Sequence, residues 1–255
     1  MNDIRFYLCG NTASSQYAAH YLTRHGITVS STPNDQVSHL LLPVPSFEPS
    51  GRIRGGEDLA QILSRLPDDI TVFGGMLNHE ALAGRKTVDF LQDEGYVAEN
   101  AAITAECAMG ILRNKLPAVL QNCPVLILGW GRIGKCLGQK LTAAGADVQI
   151  FARKASDRSM LKALGYRVSS PQTLESDLGN TRVIINTAPV LLLPKETTAA
   201  CPDTCIFLDL ASQRGMEDER TIWARGLPNR DMPESSGNLI GKTALKYALQ
   251  KEVPL

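Results

Sequence analysis

The chain has 255 residues, enough for two domains, and its 44% hydrophobic and 20% charged residues are typical of a globular protein. Lys plus Arg (26) equals Asp plus Glu (26), so no net charge favours nucleic acid or an anionic membrane surface. No basic and apolar leader opens the chain and no apolar run approaches the length of a membrane span, so we expect a soluble cytoplasmic protein. The six cysteines show no C-x-x-C spacing, which favours free thiols over disulfides or a metal site.

The first hundred residues alternate short apolar runs with helix-like segments, the pattern of a small parallel-sheet α/β domain. Strands are predicted at 4–8, 27–30, 39–42, 71–73, 87–90 and 96–97. The loop at 43–56 is polar, contains glycine and follows a strand, which is where α/β proteins place ligand contacts. Ser46 and Arg52 in this loop are candidate binding residues, and an ordinary surface loop is the alternative.

A helical pattern begins at Ile103 and leads towards the next domain. Thr104 and Glu106 fall early in this predicted helix. Glu106 is either a solvated acid that suits the positive end of the helix dipole or a residue of a functional cleft.

Residues 125–128 predict a buried strand, and the sequence Gly-Trp-Gly-Arg-Ile-Gly follows it directly. Strand, G-x-G-x-x-G turn and helix in that order are the context of a dinucleotide fingerprint. The glycines permit a tight turn, a close approach of the pyrophosphate, and packing of the helix on the strand. The helix N-terminus offers N–H groups to the phosphates. The candidate cofactor-binding residues of this stretch are Gly129, Gly131, Arg132, Ile133 and Gly134.

The strand at 147–151 ends in Ala-Arg-Lys, where NAD-dependent enzymes usually carry an acidic residue that holds the ribose 2′-hydroxyl. A carboxylate repels a 2′-phosphate, whereas Arg153 and Lys154 attract one. NADP is therefore expected rather than NAD, and a basic helix start at the surface is the alternative.

Two further predicted strands, 183–186 and 205–209, end in polar residues. In a doubly wound sheet these strand ends lie beside the glycine turn, where the ribose and nicotinamide bind. Asn186, Thr187, Asp209 and Ser212 are therefore candidate cofactor or substrate contacts.

The rest of the chain is predicted as a helix at 217–225, a polar break at 229–238 and a final helix at 239–250. No metal-ligand spacing and no acyl-transfer motif occurs, so no metal is expected. The four histidines all precede the fingerprint, which makes a 2-hydroxyacid dehydrogenase only an alternative. Hydride transfer, in which the cofactor supplies the chemistry, is the reaction class that remains.

The chain resembles the family formed by the A subunits of dipicolinate synthase, sporulation enzymes of endospore-forming bacteria. The resemblance is strongest in residues 126–134, 152–153, 185–189 and 208–212, and weaker in 42–44, in Asn100 with 104–106, and in 226–228 with Pro233 and Gly237. It adds Ala188 and Pro189 to the candidate cofactor contacts. It implies a flavodoxin-like substrate domain, placed at 1–100, and a Rossmann NAD(P)-binding domain, placed with its linker helix at 101–236. The last helix of two-lobed dehydrogenases often returns to the first lobe, so residues 237–255 are expected to pack back on the first domain.

The resemblance also implies an activity, which is oxidation of a dihydrodipicolinate-level intermediate to pyridine-2,6-dicarboxylate with NADP as hydride acceptor. A flavoprotein-like companion, the B subunit, is implied, and a homo-oligomer is possible. Glu106 and Ser235 become candidate catalytic residues, and the candidate substrate-binding residues are Ser46, Arg52, Thr104 and Ser236. The sequence departs from the family pattern at Glu234, where the family tends to have a basic residue. Two alternatives remain open: another two-lobed NAD(P)-dependent dehydrogenase, and a nucleotide-binding regulatory subunit without chemistry.

Overall fold

The computed structural model describes residues 4–56 and 58–250. Its strands are β1 (Arg5–Leu8), β2 (Thr28–Ser30), β3 (His39–Leu41), β4 (Thr71–Gly74), β5 (Lys86–Asp89), β6 (Pro124–Leu128), β7 (Asp147–Phe151), β8 (Arg167–Ser169), β9 (Val183–Asn186), β10 (Ile206–Asp209) and β11 (Ile222–Trp223). Its α-helices are α1 (Ala13–Arg24), α2 (Leu59–Leu63), α3 (Glu94–Lys115), α4 (Arg132–Ala143), α5 (Ala155–Ala163), α6 (Leu174–Leu178), α7 (Lys195–Thr198), α8 (Leu227–Asp231) and α9 (Pro233–Leu249).

The chain divides into two compact units. Unit 1 comprises the described residues up to Asn100 together with those from Pro228 onward, and unit 2 runs from Ala101 to Leu227. The chain therefore enters unit 1 again at Pro228, ahead of the predicted return at 237. The side chain of Asn229 accepts a hydrogen bond from the Ser14 amide, which ties α8 to the start of α1.

The sheet of unit 1 has the strand order β2-β1-β3-β4-β5, and every neighbouring pair is parallel. This order is that of flavodoxin-like folds. Short apolar strands such as Leu40–Leu41 are buried because helices and loops cover the sheet. The prediction of a flavodoxin-like first lobe is confirmed.

Helix α9 packs against α1 at two glycines that let the helices approach closely. A methyl group on Gly237 would overlap the Ser14 carbonyl oxygen and lie 2.5 Å from the Tyr17 Cβ atom. A methyl group on Gly241 would lie 2.8 Å from the Tyr21 Cβ atom. The spacing of four residues puts both glycines on one face of α9.

The Gly237→Ala variant is therefore expected to lower the free energy of unfolding by about 1–3 kcal/mol, because the added methyl forces α9 away from α1. A methyl group on Gly110 in α3 meets no atom within 4 Å, so Gly110→Ala is expected to raise stability by about 0.5–1 kcal/mol. Urea unfolding of both variants measures the difference. An unchanged midpoint for Gly237→Ala would refute the close packing.

A buried carboxylate joins α9 to the start of α3 within unit 1. Asp93 accepts hydrogen bonds from Lys246 Nζ at 2.6 Å, from the Tyr247 hydroxyl at 2.7 Å and from the Tyr96 amide at 2.7 Å. Burial alone would raise the pKa of Asp93, but the three donors outweigh it and hold this pKa well below its ordinary value. The carboxylate stays ionised and caps α3.

The sheet of unit 2 has the strand order β11-β10-β9-β6-β7-β8, again parallel throughout. This is the doubly wound Rossmann order, and its direction changes between β6 and β9. The central strands read Val-Leu-Ile-Leu and Val-Ile-Ile because helices cover both faces, and these residues are buried. The Rossmann prediction is confirmed.

Three predicted elements are wrong in detail. The predicted helix at 217–225 is absent, and Ile222–Trp223 instead pair with β10 as a strand. The final helix begins at Pro233 rather than Leu239, because proline suits the first helical position. Residues 96–97 belong to α3, since Asp93 caps that helix and it begins at Glu94. None of the described helices is long and apolar enough to cross a bilayer.

Candidate functional site

A cleft of about 350 Å³ opens at the carboxyl edge of the sheet of unit 2, where the strand order changes direction. The turns after β6, β7 and β9 line it. The lining residues are Gly129, Trp130, Gly131, Phe151, Ala152, Arg153, Lys154, Asp157, Thr187, Ala188, Pro189, Val190 and Leu192.

Two of the fingerprint glycines are required by packing. Gly129 has φ +113°, and a methyl group there would lie 2.6 Å from the Thr187 hydroxyl. A methyl group on Gly134 would overlap the Gly129 carbonyl oxygen. The turn and the first turn of α4 therefore touch, which fixes the direction of α4 against β6.

Gly131 is different, because a methyl group on it would meet no atom within 4 Å. It is the N-cap residue of α4 and has no side chain to occupy the amide hydrogens of the first turn. Arg132 and Ile133 are the first two residues of α4. The structure thus places these predicted residues at the N-terminus of a twelve-residue helix, an arrangement suited to a phosphate.

The exposed Arg153 and Lys154 lie between β7 and α5 and line the cleft. Arg158 donates to the carbonyl oxygens of Ala152, at 3.1 Å, and of Arg153, so this basic turn is fixed through its backbone. Asp157, which the sequence reasoning passed over, lines the same end of the cleft. Its position in the first turn of α5 suits the helix dipole.

Thr187, Ala188 and Pro189 form the opposite wall of the cleft. The Thr187 hydroxyl donates to the Leu128 carbonyl oxygen at 3.0 Å, and the Thr187 amide donates to the same oxygen at 2.9 Å. The side chain is turned to the backbone of β6, so Thr187 shapes the wall.

Asn186 and Asp209 were predicted as ligand contacts, and the structure corrects both. They are fully buried and bind each other, with Asn186 Nδ2 donating to Asp209 Oδ1 at 2.9 Å. Asn186 also exchanges hydrogen bonds with the backbone of Ala188. Asp209 accepts from the amides of Ala211, at 3.0 Å, and Gly215, at 2.7 Å. These side chains hold the loops after β9 and β10 in place, and their polar atoms are bound to protein groups.

The remaining candidates in unit 2 are dispersed. Ser212 is exposed after β10 and does not line the cleft. Glu106 lies in the middle of α3, not in its first turn, so the dipole argument for it is wrong. A 2.6 Å ion pair from Lys140 holds the pKa of Glu106 below its ordinary value and leaves the carboxylate ionised. Thr104 is buried in the same helix.

In unit 1 the structure corrects the prediction for Ser46. Its hydroxyl is fully buried, donates to the Pro43 carbonyl oxygen at 2.8 Å and accepts from the Gly75 amide at 3.1 Å. It therefore fastens the loop to the end of β4 and is inaccessible to substrate. Arg52 is exposed at the tip of that loop.

Ser235 and Ser236 lie in the first turn of α9 and not in a turn between elements. Ser235 is exposed and stays a candidate. Ser236 is buried, so its predicted contact with substrate is wrong. Among residues 4–56 and 58–250, no group of three metal-ligating side chains is assembled.

Several residues that line the cleft were not predicted from the sequence, because they are apolar and an apolar residue is usually assigned to the core. Trp130 stands inside the fingerprint, and its ring packs edge-on against Tyr166 with centroids 5.6 Å apart. Val190 is 40% exposed although it is apolar, and it lines the cleft. An apolar pair directly after Pro189 was the available clue.

No family model matches the chain. The A subunit of dipicolinate synthase from Bacillus subtilis (strain 168) is 23% identical over 247 residues, which cover 87% of this chain and 83% of that protein. A crystal structure of the Bacillus subtilis dipicolinate synthase A chain matches with a TM-score of 0.81 at 20% identity, over 96% of both chains.

Other solved structures share the fold. The crystal structure of the A subunit of dipicolinate synthase from Bacillus halodurans matches with a TM-score of 0.86 at 20% identity, over 97% of this chain and 98% of that one. A transhydrogenase from Sinorhizobium meliloti matches with a TM-score of 0.72 at 14% identity, over 95% and 92%. The resemblance seen in the sequence is confirmed, because the chain is similar in sequence to the A subunit of a dipicolinate synthase and similar in fold to two A subunits of this enzyme.

Proposed function

We propose that this chain is the nucleotide-binding subunit of an NADP-dependent oxidoreductase that oxidises a dihydrodipicolinate-level intermediate to pyridine-2,6-dicarboxylate. The observation that carries the proposal is the cleft at the edge of the Rossmann sheet where the strand order changes direction. Gly131, at the start of α4, lines this cleft and leaves free space beside its Cα atom. The name of the Bacillus subtilis relative supports the product, and its designation as one subunit of an enzyme supports a companion.

The residues present fit a dinucleotide. Gly131, Arg132 and Ile133 would hold the pyrophosphate at the start of α4, and the cations of Arg153 and Lys154 would hold the 2′-phosphate. When bound, NADP supplies the acceptor for a hydride. Oxidation of the dihydropyridine ring releases that hydride together with a proton, and the ring becomes aromatic.

The proton acceptor proposed here is the ionised carboxylate of Glu106. Its lowered pKa makes it a weak base, because the ion pair with Lys140 favours the charged form. A weak base suffices when aromatisation of the ring drives the loss of the proton. Exposed Ser235 stays a second candidate.

The ion pair of Glu106 also favours a second candidate function, a regulatory subunit that binds nucleotide without chemistry. Assay of the purified chain with its companion separates the two. Reduction of NADP by a dihydrodipicolinate-level substrate supports the enzyme, and tight NADP binding without turnover supports the regulatory role.

The charge reversal Arg153→Asp tests the choice of cofactor. It is expected to weaken NADPH binding by roughly tenfold to a hundredfold and to leave NADH binding nearly unchanged, because only NADPH carries the 2′-phosphate. Fluorescence titration with both nucleotides measures this. Lys162→Asp is the matched control, since it makes the same charge change at an exposed position near the other end of α5. Equal losses for NADPH and NADH would refute the 2′-phosphate assignment.

A further inference from the structure

Two arginine side chains lie over the ring of an exposed tryptophan at the end of β11. The guanidinium carbon of Arg214 lies 5.0 Å from the centroid of the Trp223 ring, and that of Arg225 lies 5.1 Å from it. Both distances are within the range of cation–π contacts. Trp223 is 37% exposed, and its indole N–H donates to the Ala211 carbonyl oxygen at 3.0 Å, which fixes the ring. We call these three residues the Arg–Trp–Arg cluster.

The Arg–Trp–Arg cluster is positively charged and contains no acidic side chain. Its two guanidinium groups are no more than about 10 Å apart, because both lie about 5 Å from one ring centroid. Among the described residues, neither arginine forms an ion pair. Arg220, in the same stretch of chain, instead binds both carboxylate oxygens of Asp218. The cluster is therefore the kind of site at which planar, bidentate donors can receive an external anion.

The cluster adjoins the wall of the cleft. Gly215 follows Arg214 directly, and its carbonyl oxygen accepts hydrogen bonds from the amides of Leu192, at 2.9 Å, and Leu193, at 3.0 Å. Leu192 lines the cleft. A methyl group on Gly215 would lie 2.7 Å from the carbonyl oxygen of Val190, another lining residue. The backbone that carries Arg214 thus runs along the wall.

The strand order shows at which end of the cleft the Arg–Trp–Arg cluster lies. β7, with Arg153 after it, lies on one side of β6, whereas β9, β10 and β11 lie on the other. Ala211 follows β10 and Trp223 ends β11, so the cluster stands at the carboxyl edge, on the side away from Arg153. With a 2′-phosphate at Arg153, the nicotinamide and the substrate belong to the side of the cluster.

We propose that Arg214 and Arg225, held on Trp223, bind the two carboxylates of the substrate. This inference rests on the proposed function, because the place of the nicotinamide follows from it. Guanidinium groups form charge-assisted pairs with carboxylates, and the neighbouring wall presents the apolar side chains of Val190 and Leu192.

Two tryptophans allow the two ligands to be followed separately. Trp130 lines the cleft and Trp223 belongs to the cluster, and the chain has only these two. In the Trp130→Phe variant the emission of Trp223 reports on the cluster, and in Trp223→Phe the emission of Trp130 reports on the nucleotide. The probes are pyridine-2,6-dicarboxylate, pyridine-2-carboxylate and inorganic phosphate, each with and without saturating NADPH.

We expect pyridine-2,6-dicarboxylate to change the emission of Trp223 to saturation. Arg214→Gln and Arg225→Gln, each in the Trp130→Phe background, should raise its dissociation constant roughly tenfold or more. In the native background the same substitutions should leave NADPH affinity unchanged, which also shows that the variants are folded. The control is Arg65→Gln, which replaces an exposed arginine of unit 1 and should change the affinity for neither ligand.

Unchanged dicarboxylate affinity in both variants, with NADPH binding intact, would overturn this inference and leave the proposed function standing. Phosphate binding as tightly as the dicarboxylate would overturn it as well, since the cluster would then be a general anion site. Equal affinity for pyridine-2-carboxylate would overturn the assignment of two carboxylates. A chain that binds no NADPH but loses dicarboxylate affinity in the arginine variants would refute the proposed function and support the anion site.

Discussion

Replacing Gly134 with alanine is expected to abolish tight nucleotide binding, with affinity for NADPH lowered roughly a hundredfold or more. The added methyl would overlap the Gly129 carbonyl oxygen, a backbone atom that cannot rotate away. Either α4 moves off β6 or the glycine turn opens, and in both cases the helix N-terminus no longer points into the cleft. The strain should also lower the free energy of unfolding by about 1–3 kcal/mol. Calorimetric titration and urea unfolding measure the two effects.

Gly131→Ala separates the loss of binding from the loss of stability. Its methyl meets no protein atom within 4 Å and its φ of −79° suits alanine, so stability should remain within about 0.5 kcal/mol of the native chain. The methyl nevertheless projects where a pyrophosphate would approach, so NADPH affinity should fall. Native affinity in Gly134→Ala would show that the glycine turn does not position a nucleotide.

Replacing Asp209 with alanine should lower the free energy of unfolding by roughly 3–5 kcal/mol. Asp209 is fully buried and accepts hydrogen bonds from Asn186, Ala211 and Gly215. Without the carboxylate, two buried backbone amides and one side-chain amide lose their acceptor. Asp209→Asn should cost less, because one carbonyl oxygen remains.

The control for Asp209 is Asp203→Ala, which removes an exposed carboxylate from the same unit and should change stability by less than about 0.5 kcal/mol. Thermal and urea unfolding provide the measurement. We also expect Asp209→Ala to weaken NADPH binding, because Asn186 loses the partner that orients the wall at Ala188. A stability equal to that of the native chain would contradict the hydrogen-bonded role of Asp209.

The fingerprint region could be predicted from sequence because its information is local. A buried apolar run, glycines at fixed spacing and a following helix leave few other conformations, and the structure shows the strand, the turn and the helix. The basic pair after β7 was visible for the same reason, since a strand end in a parallel sheet has a known location.

The side-chain roles of buried polar residues could not be predicted in this way. A polar residue at a strand end, such as Asn186 or Asp209, gives the same sequence pattern whether its side chain faces a ligand or binds neighbouring protein groups. Ser46 is similar, because its two backbone partners are set by the folded loop. Strand β11 was missed because two residues have no periodicity, and their pairing with β10 decides the structure.

The packing of α9 on α1 has a consequence for the order in which the protein folds during synthesis. All of unit 2, residues 101–227, emerges from the ribosome as one uninterrupted segment ahead of α9. Unit 1 begins earlier in the chain but lacks the helix that covers α1 until Leu249 has been added. Domains form as whole units once their residues are available. The residues of unit 2 therefore become available for folding as a complete set before those of unit 1, although the synthesis of unit 1 begins first.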